Sequence, residues 1–311
     1  MRYGPIPVRC IVIGIFILSL SACAVLTTSQ VQEVKRFSQT TDAYIELPGE
    51  LIRSYGELER DSILLALSRK EFSPNNTQNT DEAWDKIEKA YNSEHDLDAL
   101  GKRMDGALAV LKIYSELLNQ LVSDDYTDAL GESSVSLGKS LDNVTDEYNQ
   151  KYGATKPLPS VGSEIAESIR FSGGLYIRYR QTKILRETIA KADPLIQNLM
   201  KDVGDIATRM ETNFQASERS HIERPFKDVA NESGRLPVTT LLFVYNGLFR
   251  ARTEQELAKK VSESANAYAT AHQALVDNTR KRRNLKELIA EIQTLRSEVN
   301  AAKDIKSKME K

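Results

Sequence analysis

Apolar residues recur at intervals of three and four along most of this chain, which is the spacing of one face of an α-helix. The clearest stripe consists of Leu97, Leu100, Met104, Leu108, Leu111, Tyr114, Leu117 and Leu121. No segment combines strict apolar–polar alternation with β-branched residues, as a half-buried strand does. The pattern predicts an all-α protein, an elongated helical bundle with long antiparallel helices.

Turn-forming residues divide these stripes into separate helices. The predicted breaks are Pro48-Gly49, the polar segment 73–80, the segment 151–162 with its two prolines, Asp193-Pro194 and the segment 231–237. At Asp193-Pro194 a capping residue precedes a proline, which favours a helix start at that point.

The segment 151–162 is the clearest of these breaks, because two prolines follow Gly153. It separates an N-terminal helical part, 29–150, from a C-terminal one, 163–311. It is either a subdomain boundary or the loop of a helical hairpin. We favour the loop within one packed unit, since neither half has a self-sufficient core pattern.

Within the N-terminal part, Ser29 and Gln32 have the spacing of a capping box and predict a helix start at Ser29. A further helix start is expected at Ser93. Trp84, the only tryptophan, shares one helix face with Ile87 and Tyr91.

Two segments of the C-terminal part stand out. From 256 to 303 the four–three spacing continues unbroken, as in a coiled coil with several polar seam positions. This predicts one helix about 70 Å long, packed against another long helix of the chain. The stretch Val238–Phe249 is the most apolar after the N-terminus but too short to span a bilayer. We expect it to be a buried central helix; insertion into a membrane or partner is the alternative.

The N-terminus has the three-part layout of a secretory signal. Arg2 and Arg9 come before the apolar run Ile11–Leu20, and small residues follow that run. Leu20, Ser21, Ala22 and Cys23 then resemble the lipobox of bacterial lipoproteins.

This resemblance implies that residues 1–22 are a signal peptide and that Cys23 carries covalent lipid, with acyl chains such as palmitate. Residues 23–28 are then a short lipidated tether, and Ala24 is compatible with placement at the outer membrane, facing the periplasm. One alternative is an uncleaved anchor, since Cys10 to Leu26 is an uncharged run of 17 residues, at the low edge of the length that spans a bilayer. A secreted soluble form is the other.

Charge and cysteine content narrow the classes of partner. Removal of residues 1–22 leaves 40 basic and 44 acidic residues, a near-balance that argues against nucleic acid. The only cysteines are Cys10, within the signal, and Cys23, so the lipidated chain has no thiol for a disulfide.

Residues that could carry chemistry are sparse. The sequence has no His-x-x-x-His pair, no phosphate-binding glycine loop and no nucleophile elbow. Glu94-His95-Asp96 point in different directions on a helix, which disfavours a shared metal ion. We therefore expect no enzyme, no metal site and no cofactor besides the lipid. Gly173-Gly174 indicates close helix packing or a hinge.

Two basic clusters are candidate sites for anionic lipids or an acidic partner, although solvated helix faces are the simpler interpretation. One is the aromatic and basic run 176–186, and the other consists of Arg280, Lys281, Arg282 and Arg283.

The expected function is a lipid-anchored, non-enzymatic helical scaffold that binds a protein of the cell envelope, because long helices offer extended surfaces for recognition. The alternative is a membrane-active protein that inserts the segment 238–249.

Overall fold

The computed structural model of the chain describes residues 27–68, 77–123, 128–152, 157–171, 177–224, 226–227, 230, 236–281 and 285–309. Every regular element within these ranges is helical, which confirms the all-α prediction. The helices are α1 (Thr28–Tyr44), α2 (Pro48–Ser68), α3 (Thr77–Leu121), α4 (Asp128–Tyr152), α5 (Gly162–Phe171), α6 (Ile177–Ser217), a π-helical turn (Glu218–Glu223), α7 (Val238–Lys281) and α8 (Leu285–Met309).

The helices pack as a bundle around one hydrophobic core. Buried residues from every helix, between Val34 in α1 and Ile305 in α8, belong to that core. The longest helix, α3, has 45 residues and is about 68 Å long at 1.5 Å per residue. Among the described helices, none has a stretch both long and apolar enough to cross a membrane.

The helices α1 and α2 run together along α7, in the opposite direction. Gln30 donates to Asn278 (Nε2 to Oδ1, 2.6 Å) at one end of the bundle. Thr41 and Tyr268 share a hydrogen bond of 2.9 Å further along. The Ser54 hydroxyl then donates to Glu254. Three contacts at matching steps along both segments fix which end of α7 lies beside the start of the described chain.

The first helix begins two residues earlier than predicted. The capping box is formed by Thr27 and Gln30: the Gln30 amide donates to the Thr27 hydroxyl (3.2 Å), and the Thr27 amide donates to Gln30 Oε1 (2.9 Å). The prediction of Ser29 with Gln32 is wrong, although the motif is of the same kind. The break at Pro48-Gly49 is confirmed, since Ile45–Leu47 are non-helical and α2 starts at Pro48.

Two predicted helix starts lie inside continuous helices. Ser93 is in the interior of α3, where its hydroxyl donates to Glu59 of α2 (2.9 Å) and caps nothing. Pro194 is in the interior of α6. Proline in a helix interior removes one backbone hydrogen bond. The flanking Ala192, Leu195 and Ile196 are fully buried, so packing maintains the helix through that position.

The expectation of one continuous helix over 256–303 is wrong. The helices α7 and α8 pack against each other antiparallel on either side of residues 282–284, which lie outside the described residues. Lys260 of α7 forms an ion pair with Glu298 of α8, Nζ to Oε2 2.9 Å. The two halves of the four–three seam therefore face each other, and α7 also packs on α6.

The predicted loop at 151–162 joins α4 and α5. The Asn149 side chain closes it by bonding both the amide and the carbonyl of Leu158 at 2.8 Å. On α5, the first two amides, of Gly162 and Ser163, donate to the carboxylate of Asp142 on α4. The helices cross closely there: a Cβ at Gly162 would lie 1.9 Å from the carbonyl oxygen of Gly138.

Candidate functional site: an apolar surface at one end of the bundle

Exposed apolar side chains are concentrated at one end of the bundle. Eleven large apolar side chains are exposed among the described residues, and Tyr179 is the one that lies elsewhere. The other ten, here called the apolar end surface, are Leu64, Trp84, Ile87, Tyr91, Val238, Leu241, Leu242, Phe243, Tyr245 and Phe249. Large exposed apolar patches on soluble domains mark sites of interaction.

Two ion pairs show that these residues belong to the same end. Arg60 of α2 pairs with Glu94 of α3 (2.8 Å), and Asp61 of α2 pairs with Arg250 of α7 (3.4 Å), so the three helices are level at those positions. From that level α2 continues to Leu64, while α3 and α7 arrive from their N-terminal starts. All ten residues therefore lie beyond the same cross-section.

On α7 the exposed residues form a stripe with the spacing of a helix seam. Val238, Leu242, Tyr245 and Phe249 are separated by four, three and four positions, and Tyr245 is 67% exposed. The other face of the same turns, with Val244, Leu248 and Ala251, packs on the core. The expected burial of 238–249 is therefore wrong: the segment is apolar on two faces, and the described chain covers only one.

On α3 the first turns have the reverse of ordinary amphipathicity. Ala83 and Ala90 are buried, whereas Trp84 and Tyr91 are 66% and 69% exposed. Trp84, Ile87 and Tyr91 share one face, as predicted, and that face is exposed. Small residues on the inner face permit close approach to α2, and the large aromatic rings are left outside.

The charges beside the α3 stripe are mainly negative. Residues 81–98 contain seven acidic residues and two lysines. At about 100° per residue, Glu88, Asp81 and Asp85 lie about 40° to 100° from Trp84 around the helix. Lys86 and Lys89 are about 140° or more away. All three acidic side chains are exposed, so the stripe has an acidic edge.

Beneath the α7 stripe lies a network of charged side chains. Arg250 donates to Glu254 (2.8 Å) and to Glu57 (2.9 Å), and it pairs with Asp61 as described above. The Glu254 carboxylate is fully buried and also accepts from the Ser54 hydroxyl. Burial raises the pKa of Glu254, and the hydrogen bonds from Ser54 and Arg250 oppose that shift. This network holds the start of α7 on α2.

Comparisons with protein families, with curated proteins and with solved structures find no match to this chain.

A second cluster of polar side chains, centred on His272, was missed by sequence reasoning. His272 Nδ1 donates to Asp193 Oδ1 (2.9 Å), and the Tyr114 hydroxyl donates to His272 Nε2 (2.8 Å). The carboxylate can only accept, which places the proton of the neutral ring on Nδ1. Burial lowers the pKa of His272, and the hydrogen bond with Asp193 opposes that shift.

The environment of His272 indicates a structural role. The His272 and Tyr114 side chains are fully buried, and Phe37 packs on the imidazole with ring centroids 5.9 Å apart. The hydrogen bonds join α3, α6 and α7 across the core. One signal was present in the sequence: His272 comes four positions after Tyr268 and three before Leu275, which makes it a polar residue on an apolar helix face.

The remaining predicted site residues fall largely outside the described chain. Leu20, Ser21, Ala22 and Cys23 lie outside it, as do Gly173-Gly174, Arg282 and Arg283. Arg280 and Lys281 end α7, and their side chains are not among those described. The prediction of an anionic-partner site at 280–283 therefore stays a prediction. Glu94 of the rejected metal cluster pairs with Arg60 of α2.

Proposed function

We propose that this chain is a lipid-anchored, non-enzymatic protein of the bacterial cell envelope, held through Cys23 at the outer membrane on its periplasmic side. It acts as a helical scaffold that binds a protein partner through the apolar end surface. One observation carries the proposal: ten of the eleven large apolar side chains exposed among the described residues lie at the end of the bundle away from its first described residues.

The distance between the two ends supports this function. Asn278 of α7 bonds Gln30 near the start of the described chain, and Tyr245 is 33 residues away on the same helix. That separation is about 50 Å at 1.5 Å per residue. Cys23 precedes Thr27 by four residues, a reach of about 14 Å. A lipid on Cys23 would therefore be attached near one end of the bundle, whereas the apolar end surface lies at the other end.

The composition of the surface also supports a protein partner. It contains Trp84, Tyr91 and Tyr245, each about two-thirds exposed. Tryptophan and tyrosine are enriched among the residues that dominate binding energy at protein interfaces. Each has a large apolar area and few rotatable bonds, so its ordering on binding costs little entropy.

A membrane-active protein is the second candidate, and one observation favours it: Val238–Phe249 has no charged residue and is exposed along one stripe. The acidic edge of the α3 stripe opposes it, because anionic headgroups repel carboxylates. Leakage of liposomes caused by Cys23→Ser protein, which lacks the attachment site, would support this candidate.

Two experiments test the proposal. Cells are labelled with a fatty-acid probe, and label should disappear in Cys23→Ser. A photo-reactive amino acid is then placed at Leu242 in one strain and, as a matched control, at the exposed Glu132 of α4 in another. We expect a discrete crosslinked protein from Leu242 and none from Glu132. The same products from both positions, or none from Leu242, would contradict partner binding at this surface.

A further inference from the structure

The apolar end surface has the features of a site for a helix. The stripe from Val238 to Phe249 is about 16 Å long, or three helical turns. Its four–three–four spacing matches the seam of a coiled coil, in which each residue fits between four residues of a partner helix. The core-facing side of α7 is already occupied by Val244, Leu248 and Ala251. A further helix would pack on the exposed stripe in the same manner.

The acidic edge specifies the charge of that helix. Asp81, Asp85 and Glu88 are exposed along one side of the α3 stripe, and the two nearby lysines point away from it. Opposite charges at the rim of an interface steer and align partners, and like charges exclude them. A segment that buries Trp84 and Tyr91 places its own rim beside these carboxylates. Lysine or arginine at that rim would form ion pairs.

The same charges disfavour the other occupants of the surface. An anionic bilayer would meet the three carboxylates with its own negative charge. A second copy of the chain, packed antiparallel through the same stripe in a two-fold dimer, would bring the two acidic edges together. A basic amphipathic helix would meet the three carboxylates with opposite charge, so neither of these repulsions would arise.

We infer that the apolar end surface binds an amphipathic α-helix, an inference that rests on the proposed function. The bound helix belongs to an envelope protein, and its apolar seam is flanked by lysine and arginine. The seam packs on the α7 stripe and covers the aromatic residues of α3. Asp81, Asp85 and Glu88 select the basic rim.

Trp84 supplies a direct readout, since it is the only tryptophan of the chain and is 66% exposed. The full chain in detergent is titrated with two tryptophan-free helical peptides that share one leucine seam and differ only in lysine or glutamate flanks. We expect the lysine peptide to shift the Trp84 emission to shorter wavelength and to bind about tenfold more tightly, as three exposed ion pairs would allow. The preference should shrink in 0.5 M salt, since exposed pairs are screened.

Variants of the chain make the test specific. Asp81→Lys, Asp85→Lys and Glu88→Lys together should reverse the preference between the peptides. The matched control reverses three exposed acids of α4, Glu132, Asp146 and Glu147, and should leave it unchanged. Leu242→Ser with Tyr245→Ser should abolish binding of the lysine peptide, with helix content checked by circular dichroism.

The outcomes separate this inference from the proposed function. Equal binding of both peptides, or a preference untouched by the triple reversal, overturns the basic helix while the crosslink at Leu242 still supports a partner. Loss of both the peptide signal and the crosslink overturns both proposals. A blue shift in phosphatidylglycerol liposomes with no peptide response identifies a membrane as the occupant. A blue shift that depends on protein concentration, with doubled mass, identifies a second copy. Either of these last two results overturns the inference.

Discussion

Lys260 and Glu298 are 38 positions apart in sequence, yet their side chains form an ion pair of 2.9 Å. In a continuous helix the same residues would be about 57 Å apart. A carbodiimide, which joins an amine directly to a carboxylate, should therefore link them in the native protein. Mass spectrometry of the digest would detect the crosslinked peptide. Lys260→Arg is the control and should lose this link; absence of the link from the native chain would contradict the α7–α8 hairpin.

The buried carboxylate of Glu254 depends on Arg250. We expect Arg250→Ala to lower the free energy of unfolding by about 3 kcal/mol, because it leaves a buried charge without its cation. Chemical denaturation at pH 7.5 measures the loss.

Arg252 provides a matched control two residues away on α7. It pairs with Glu218 at 2.9 Å but is 67% exposed, so Arg252→Ala should change stability little. Glu254→Gln should restore part of the stability of Arg250→Ala, since it removes the buried charge. An equal loss in both alanine variants would contradict a special role for the buried pair.

The crossing of α4 and α5 requires glycine at position 162. Gly162→Ala would place its Cβ 1.9 Å from the carbonyl oxygen of Gly138, so the helices must move apart. We expect a loss of about 1–3 kcal/mol, the usual effect of overpacking. Gly56→Ala is the control: its Cβ would meet Leu97 at an ordinary 3.5 Å. It should be neutral or stabilising by about 0.5 kcal/mol, and thermal unfolding distinguishes the two.

The burial of His272 should make stability depend on pH. Its pKa is lowered in the folded protein, so near pH 6 the unfolded chain binds more protons than the folded one. Unfolding is then favoured as the pH falls. This contribution to stability is present above the ordinary histidine pKa of about 6.5 and is lost as the pH decreases toward the folded value.

His272→Gln tests this dependence, because glutamine retains a donor and an acceptor but does not titrate. Between pH 7.5 and 5.5 the variant should lose less stability than the native protein, as measured by urea denaturation. His95→Gln, at an exposed position of α3, should behave as the native protein. A native pH profile in His272→Gln would rule out the buried imidazole as the source.

The sequence predicted the helical class and the breaks at 48–49, 73–80, 151–162 and 231–237 because their causes are local. The apolar spacing and the prolines at positions 48, 157 and 159 act on neighbouring residues, and helices begin or end near these signals. The separation of α7 from α8 was missed because no glycine or proline follows Gly247 in the sequence. The helices α7 and α8 also continue the same four–three spacing, so the pattern of apolar residues does not show where one helix ends and the next begins.

The exposure of the apolar end surface and the buried hydrogen bonds around His272 depend on tertiary structure, so the sequence alone did not predict them. The hydrophobicity of 238–249 predicted burial, but these first turns of α7 lie at the end of the bundle, where no described helix covers one of their faces. Asp193 resembled a cap next to Pro194, whereas in the fold its carboxylate accepts from His272, 79 positions away. Pairings over such separations leave no periodic signal in a single sequence.

The Asp142 carboxylate that binds the first two amides of α5 makes the folding of one helix conditional on another. With 10 residues, α5 is shorter than an isolated helix needs to persist in water. The order in which the two helices form is therefore fixed, because α4 must be in place before α5 becomes stable. The two helices and the loop between them form a cooperative unit, whose amide protons are expected to exchange with solvent through a shared opening.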